Sequence, residues 1–246
     1  MTASPSAAGS AATARTGPAA RRAPRRAAPA LLLDSGGVLM LIDGEILADF
    51  ALRFGVRVSA TTARHAVSLA ARDRDLGDPE GGGEVRRFED LWSRHAGCPA
   101  ETGRRLWAAV RSEVPDTRLW SLVNPEAVAL LDTLPPHVQR YVISNADGKA
   151  HAELAGAGLL PKLDGVLDSS VVGVAKPDPR IFRMAAVALG RPLHECRYVA
   201  DTLDGAPAHL PPTVLYDPLG IYPDDTARYV RIRSLARLAG LIQVTD

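Results

Sequence analysis

The chain has 246 residues, of which 46% are hydrophobic and 23% charged, with 21 glycines, 19 prolines and 5% aromatic residues. This composition is that of an ordinary globular chain and excludes a collagen-like fibre and a largely disordered protein. The chain has two cysteines, far apart in the sequence, and no uncharged apolar run of about 18 residues. We therefore expect no disulfide framework, no membrane span and a reducing, cytoplasmic setting.

Residues 1–28 are rich in Ala, Ser, Pro and Arg and show no periodic apolar face. Such a segment buries too little apolar surface to offset the entropy of ordering it, so we predict a disordered tail. Its five arginines, unaccompanied by any acid, turn a formal net charge of +1 for the chain into −4 for the remainder. An acidic remainder lacks the basic face that binds nucleic-acid phosphates, and we expect no nucleic-acid partner.

Beyond the tail, short apolar runs alternate with helical patterns. The runs cover residues 30–33, 137–143, 197–200 and 213–216, and each is followed by Asp or Ser. Runs of this length are typical of strands buried on both faces of a parallel sheet. Helices are predicted between and after them, over residues 127–134, 180–189 and 235–242. The alternation predicts an α/β fold with a doubly wound, Rossmann-like parallel sheet.

Residues 42–123 interrupt this alternation. Their pattern predicts four helices, over residues 45–54, 62–72, 86–95 and 101–114, with a glycine-rich break at 78–83. We predict a helical cap of residues 42–123, inserted after the first strand of an α/β core that comprises residues 29–41 and 124–246. Trp92, Trp107 and Trp120 are expected to pack inside this cap and at its hinge.

Asp34, Ser144 and Asp201 each follow a different predicted strand. The carboxyl ends of the strands of a doubly wound sheet line a common crevice, which is where ligands bind. Asp and Ser are also frequent turn and helix-capping residues, so each position alone has a purely structural interpretation. Their convergence on one end of the sheet is what indicates a functional site.

Four segments resemble, in order, the motifs of the haloacid dehalogenase-like (HAD) hydrolase superfamily. They are Asp34-Ser35-Gly36-Gly37-Val38-Leu39, Ile143-Ser144-Asn145, residues 173–182 (GVAKPDPRIF) and residues 199–204 (VADTLD). The resemblance extends from residue 30 to about residue 240, and the helical insertion lies where this superfamily carries its type 1 cap. The third motif is the most specific, whereas the first and fourth are altered.

The resemblance implies a role for each matching side chain. Asp34 matches the nucleophile, a carboxylate that attacks phosphorus and forms an aspartyl-phosphate. Ser144 and Asn145 match the motif that binds the transferring group, and Lys176 matches the cation that balances the charge of nucleophile and phosphate. The activity implied is a phosphatase reaction on a small phosphorylated metabolite, with no membrane or nucleic acid involved.

The resemblance also implies a magnesium site. Asp34, the backbone carbonyl of Gly36 and Asp201 match the ligands of Mg²⁺, a hard cation that prefers oxygen donors. In phosphatases of this family a second Asp, which protonates the leaving group, stands where this chain has Gly36. Positioned acid–base catalysis contributes roughly 10²–10⁴-fold, so its loss slows ester hydrolysis unless another group compensates. In the fourth motif Asp204 is a further candidate acid, but its spacing is only approximate.

Two other functions remain open on these residues. A 2-haloacid dehalogenase also uses an Asp nucleophile and lacks the second Asp, although its relatives carry an aromatic residue rather than Gly at that position. A catalytically weak or inactive binding protein would explain Gly36 and the altered fourth motif together. Retention of Asp201 favours a metal and a phosphoryl substrate. The sequence does not predict an oligomeric state.

Overall fold

The computed structural model describes residues 30–77, 87–206 and 213–243. The predicted disordered tail and the glycine-rich break lie outside these ranges. The strands are β1 (Ala30–Leu33), β2 (Met40–Leu41), β3 (Leu122–Val123), β4 (Arg140–Ser144), β5 (Gly165–Asp168), β6 (Cys196–Ala200), β7 (Thr213–Tyr216) and β8 (Tyr229–Ile232).

Seven of the ten α-helices in the described ranges agree with predicted helices to within a few residues, whereas the short helices at residues 116–119, 150–156 and 169–172 have no counterpart among the predicted ranges. The ten helices are α1 (Gly44–Arg53), α2 (Ala60–Leu76), α3 (Phe88–Ala96), α4 (Ala100–Glu113), α5 (Asp116–Leu119), α6 (Pro125–Thr133), α7 (Ala150–Gly156), α8 (Ser169–Val172), α9 (Pro179–Ala188) and α10 (Arg237–Gln243). Asn124 and Asp178 cap α6 and α9, each accepting a hydrogen bond from the backbone amide two residues on. None of the helices in the described ranges is long and apolar enough to cross a membrane.

Six parallel strands form one sheet in the order β5-β4-β1-β6-β7-β8. The central strand β1 is buried on both faces, which explains its uninterrupted apolar run. One apolar cluster covers each face of the sheet: β1 contributes Leu31 and Leu33 to one and Ala30 and Leu32 to the other. The predicted α/β class with a doubly wound parallel sheet is therefore confirmed. The strand order reverses at β1, since β4 and β5 lie on one side of it and β6, β7 and β8 on the other, and such folds bind ligands at this switch point.

Helices α1 to α5, together called the helical insert, lie between β2 and β3 in the chain. They pack around an apolar cluster of their own, in which Trp92 and Trp107 meet edge to face. The antiparallel pair β2–β3 joins the insert to the sheet, with Met40 opposite Val123. Trp120 packs against both the cluster of the insert and a cluster of the sheet, so its ring lies at the junction of the two.

Candidate active site

A cavity of about 410 Å³ opens at the carboxyl ends of β1, β4 and β6, beneath the helical insert. The strand ends contribute its floor, and α2, α3 and the segment around Trp120 contribute its roof. The sequence-predicted site residues all lie in its wall: Asp34, Gly36, Ser144, Asn145, Lys176 and Asp201. The cavity is where the sheet topology predicts a ligand site.

Asp34 occupies the floor of this cavity with most of its side chain buried. Its Oδ2 lies 2.6 Å from the ammonium Nζ of Lys176. The same oxygen accepts a hydrogen bond of 3.0 Å from the hydroxyl of Tyr198, a residue of β6. Its Oδ1 accepts a hydrogen bond of 2.7 Å from the backbone amide of Ser35. The carboxylate is thus held on both oxygens, and its charge has a buried cationic partner.

Lys176 is held in place through its backbone. The side chain of Asn145 donates from Nδ2 to the carbonyl of Lys176 at 3.0 Å and accepts from its amide at 2.8 Å. Because both polar ends of Asn145 are engaged in this way, Asn145 acts on the site by fixing Lys176. Its predicted contact with a substrate remains a prediction.

Ser144 ends β4, and its buried side chain faces the cavity. It makes no hydrogen bond to other residues that the structure describes, so its hydroxyl is available to a ligand. The loop that follows is organised by Asp168, a buried carboxylate at the end of β5. Asp168 accepts hydrogen bonds from the amides of Gly148 and Ala150 at 3.0 and 3.1 Å, an arrangement that the sequence analysis does not anticipate.

Asp201 follows β6 on the opposite side of Asp34 from β4. Burial, together with the negative charge of Asp34, raises the pKa of the Asp201 carboxyl to about 8. The carboxylate fits against the loop after β1 only because residue 37 is glycine. A Cβ on Gly37 would lie 1.9 Å from Asp201 Oδ2, and its φ of +73° also favours glycine.

Two carboxylates that repel each other in a partly buried cavity are a suitable place for a cation. Asp34, Asp201 and the backbone carbonyl of Gly36 offer only oxygen atoms, as Mg²⁺ requires. The described residues contain no cluster of three or more His, Cys, Asp and Glu side chains that could hold a metal by themselves. The donor set therefore fits a magnesium ion that keeps several water ligands, as this cation commonly does.

Gly36 faces an aromatic ring. A Cβ at this position would lie 3.5 Å from the six-membered ring of Trp120, at ordinary van der Waals distance. A longer acidic side chain built there would be directed at the indole. The ring thus covers the position from which related phosphatases supply their second Asp.

The helical insert contacts the loop after β6 through the end of α2. Arg74 forms an ion pair with Asp204, whose other oxygen accepts a hydrogen bond from the Thr202 hydroxyl at 2.9 Å. Asp75 Oδ2 accepts hydrogen bonds from the Leu203 amide at 2.5 Å and from the Tyr222 hydroxyl at 2.7 Å. Asp204 lines the cavity, but its charge is already paired with the insert.

Residues 29–209 match the family model of the haloacid dehalogenase-like hydrolases. The chain belongs to this family. Among curated proteins it is 41% identical over 75 residues to the phosphoserine phosphatase of Thermus thermophilus, a match that covers 30% of this chain and 26% of that relative. The match thus spans only about a quarter (26%) of the length of that curated relative.

Solved HAD structures share the fold over nearly the whole chain. A dehalogenase crystallised as an intermediate complex superposes with a TM-score of 0.56 at 20% identity, covering 88% of this chain and 97% of its own. A magnesium-bound HAD hydrolase from Bacillus subtilis superposes with a TM-score of 0.54 at 15% identity, covering 89% of this chain and 100% of its own. At such identities the likeness establishes the HAD fold and does not select between phosphatase and dehalogenase.

Three residues of this HAD site escape the sequence analysis. Tyr198 and Arg74 contact the site, and Trp120, predicted as hinge packing, also covers Gly36. A signal for Tyr198 exists in the alternation of strand side chains, since it pairs with Leu32, two residues before Asp34, and so points to the same face. Using that signal requires the pairing of β1 with β6, which the sequence alone does not provide.

Proposed function

We propose that this HAD hydrolase is a Mg²⁺-dependent phosphatase that acts on a small phosphorylated metabolite through Asp34. The observation that carries the proposal is the contact of Asp34 Oδ2 with Lys176 Nζ at 2.6 Å, at the end of the central strand and beside Asp201. A buried lysine paired with a carboxylate in the wall of a cavity balances the charge that collects when a phosphoryl group binds there.

In the first step an oxygen of Asp34 attacks phosphorus and forms the Asp34–phosphorus bond. The bond from phosphorus to the ester oxygen breaks, and the leaving alcohol takes its proton from water. In the second step water attacks phosphorus, the bond to Asp34 breaks, and the carboxylate and inorganic phosphate are released with a proton passed to solvent. Mg²⁺ held by Asp34, Asp201 and the Gly36 carbonyl would offset the charge of the phosphoryl oxygens.

The other side chains assist by position. Ser144 lies where it can donate a hydrogen bond to a phosphoryl oxygen, and Lys176 supplies the positive charge. A cavity of about 410 Å³ suits a substrate of metabolite size. The partial match to a phosphoserine phosphatase favours phosphate esters over haloacids.

One observation favours the dehalogenase reaction as a second candidate. Gly36 has no acidic side chain, and Trp120 covers that position. An alkoxide leaving group needs a proton, whereas a halide does not. In that reaction Asp34 would form an ester with the substrate carbon as the carbon–halogen bond breaks, and water would then hydrolyse the ester.

The two reactions separate in one screen of the full-length protein. Phosphate release from sugar phosphates, nucleotides and phospho-acids is measured with Mg²⁺ and with EDTA, alongside halide release from 2-haloacids. We expect phosphate release that needs Mg²⁺ and disappears in Asp34→Asn. Halide release that persists in EDTA would instead establish the dehalogenase. Binding of a phosphate mimic with no turnover, unchanged in Asp34→Asn, would indicate an inactive binding protein.

A further inference from the structure

The hydroxyl of Tyr198 lies between the two charged groups on which the proposed function rests. It is 3.1 Å from Lys176 Nζ and 3.0 Å from Asp34 Oδ2. We propose that Tyr198 is a positioning residue, whose hydroxyl fixes the orientation of the Asp34 carboxylate for attack. This inference builds on the assignment of Asp34 as nucleophile and adds a residue that the HAD motifs of this chain do not include.

The direction of the two hydrogen bonds follows from the chemistry of the groups. An ammonium group has donors and no acceptor, so Lys176 donates to the Tyr198 oxygen. The single proton of the hydroxyl is then free for Asp34 Oδ2, an acceptor. The donor and the acceptor of both hydrogen bonds, from Lys176 to Tyr198 and from Tyr198 to Asp34, are therefore determined.

The ring of Tyr198 has little freedom to move. Tyr198 is fully buried in β6, and its ring meets that of Phe182 edge to face at 5.0 Å. On the other side, a Cβ on Gly205 would lie 3.5 Å from the hydroxyl oxygen. A buried ring packed in this way holds its hydroxyl at a fixed point relative to the sheet.

The consequence for Asp34 lies in the count of donors on its two oxygens. Oδ2 accepts from Lys176 and Tyr198, whereas Oδ1 accepts only from the Ser35 amide among the residues that the structure describes. Oδ1 is therefore the oxygen that fewer protein donors occupy. Without the hydroxyl, one long flexible side chain would hold Oδ2, and the carboxylate could turn away from the orientation that attack requires.

The test is Tyr198→Phe in the full-length protein, which keeps the ring and removes the hydroxyl. With the best substrate found in the phosphatase and dehalogenase screen, we expect kcat to fall about 10- to 100-fold, the effect of losing a hydrogen bond to a charged group, with KM changed less than about twofold. Tyr229→Phe is the matched control, because that buried tyrosine donates to the Pro223 carbonyl away from the cavity. We expect it to leave both constants unchanged.

Crystal structures of the wild type and Tyr198→Phe give a second readout that needs no turnover. We expect the Asp34 carboxylate to rotate, or to occupy two orientations, in the variant. An unchanged kcat in Tyr198→Phe, while Asp34→Asn is inactive, would overturn the positioning role and leave the proposed function intact. Loss of the proposed function would show instead as activity that survives in Asp34→Asn, or as a wild type that turns over nothing. In either of those cases the orientation of Asp34 in the two crystals still decides the role of Tyr198.

Discussion

The two sides of the cavity floor handle negative charge differently. On the Asp34 side a buried lysine and a tyrosine hydroxyl both contact the carboxylate. On the Asp201 side no lysine or arginine lies within ion-pair distance of the carboxylate among the residues that the structure describes, and burial beside Asp34 raises its pKa to about 8. The protein balances the first carboxylate itself, whereas the second lies on the side where we propose that a cation binds.

The largest effect is expected on the balanced side. Lys176→Met removes the only charge that contacts Asp34 among the described residues, and we expect kcat to fall about 10³-fold, or about 4 kcal/mol in the barrier. Lys162→Met is the control, since that lysine pairs with Asp132 away from the cavity. Steady-state kinetics measures both variants. A kcat for Lys176→Met within about twofold of the wild type would show that Lys176 does not balance the charge of Asp34 in the reaction.

The next effect tests how closely the two sides are packed. Gly37→Ala places a Cβ 1.9 Å from Asp201 Oδ2 at a φ of +73°. We expect the free energy of unfolding to fall by about 3 kcal/mol, which lowers Tm by roughly 6 to 12 °C, because of backbone strain and the displaced carboxylate.

Gly190→Ala separates these two causes. Gly190 has a φ of +63°, but a Cβ there would meet nothing within 4 Å. We therefore expect Gly190→Ala to lower the free energy of unfolding by about 1 kcal/mol, from backbone strain alone. Equal destabilisation by the two substitutions, measured by urea unfolding, would mean that Asp201 is not confined by the loop after β1.

The strands that end at this site could be predicted from the sequence, and the edges of the sheet could not. β1 and β7 are buried along their whole length, and this burial on both faces explains their largely apolar runs. β5 and β8 lie at the sheet edges with only partial burial, and the arginine in β8 breaks its apolar run. Asp34 and Asp201 could be found as acids that follow buried runs, and Lys176 through its motif.

The contacts across the chain required the structure. Trp120 meets Gly36 from the insert, and Asp204 pairs with Arg74 of α2. These residues are separated by more than 80 positions in the sequence, and no local pattern encodes such a contact. The metal role considered for Asp204 illustrates the limit, since its spacing in the motif carries no information about a partner in the insert.

Metal addition tests the unbalanced side directly. If Mg²⁺ binds between Asp34 and Asp201, a concentration of about 100 times its Kd stabilises the folded protein by about 2.7 kcal/mol, which raises Tm by roughly 5 to 10 °C. Thermal melts with Mg²⁺ and with EDTA measure this difference. Asp201→Asn should abolish most of the shift, while Asp90→Asn, in an ion pair of the insert, should preserve it. A shift that persists in Asp201→Asn would place the metal elsewhere.

A smaller effect is expected from restoring an acid at position 36. Gly36→Asp alone should not raise kcat, because Trp120 covers the side from which the new carboxyl would act. Combined with Trp120→Ala, it should raise kcat about tenfold over Trp120→Ala alone, below the 10²–10⁴-fold of a fully positioned acid. Gly36→Asn with Trp120→Ala is the matched control, since an amide of the same shape supplies no proton. Equal rates for the Asp and Asn variants would show that proton supply does not limit the reaction.

The smallest effect concerns Asp75, a second acid near the Asp201 side. Burial raises the pKa of Asp75 more than its hydrogen bonds from Leu203 and Tyr222 lower it. Since the folded protein then holds this proton more tightly than the unfolded chain, whose Asp titrates near pH 3.9, stability falls as pH rises from about 4 through the folded pKa.

Asp75→Asn removes this dependence and keeps an acceptor for both hydrogen bonds. We expect the free energy of unfolding of the variant, relative to that of the wild type, to rise by up to about 1 kcal/mol from pH 4.5 to pH 7.5. Urea unfolding at both pH values measures this change. Asp178→Asn is the control, because a hydrogen bond from Arg180 lowers the pKa of Asp178 and its contribution changes only below about pH 4, so we expect no change in its effect between pH 4.5 and 7.5. If Asp75→Asn instead loses stability at the higher pH, its carboxylate is a favourable partner of Leu203 and Tyr222, and the excess of negative charge is confined to Asp201.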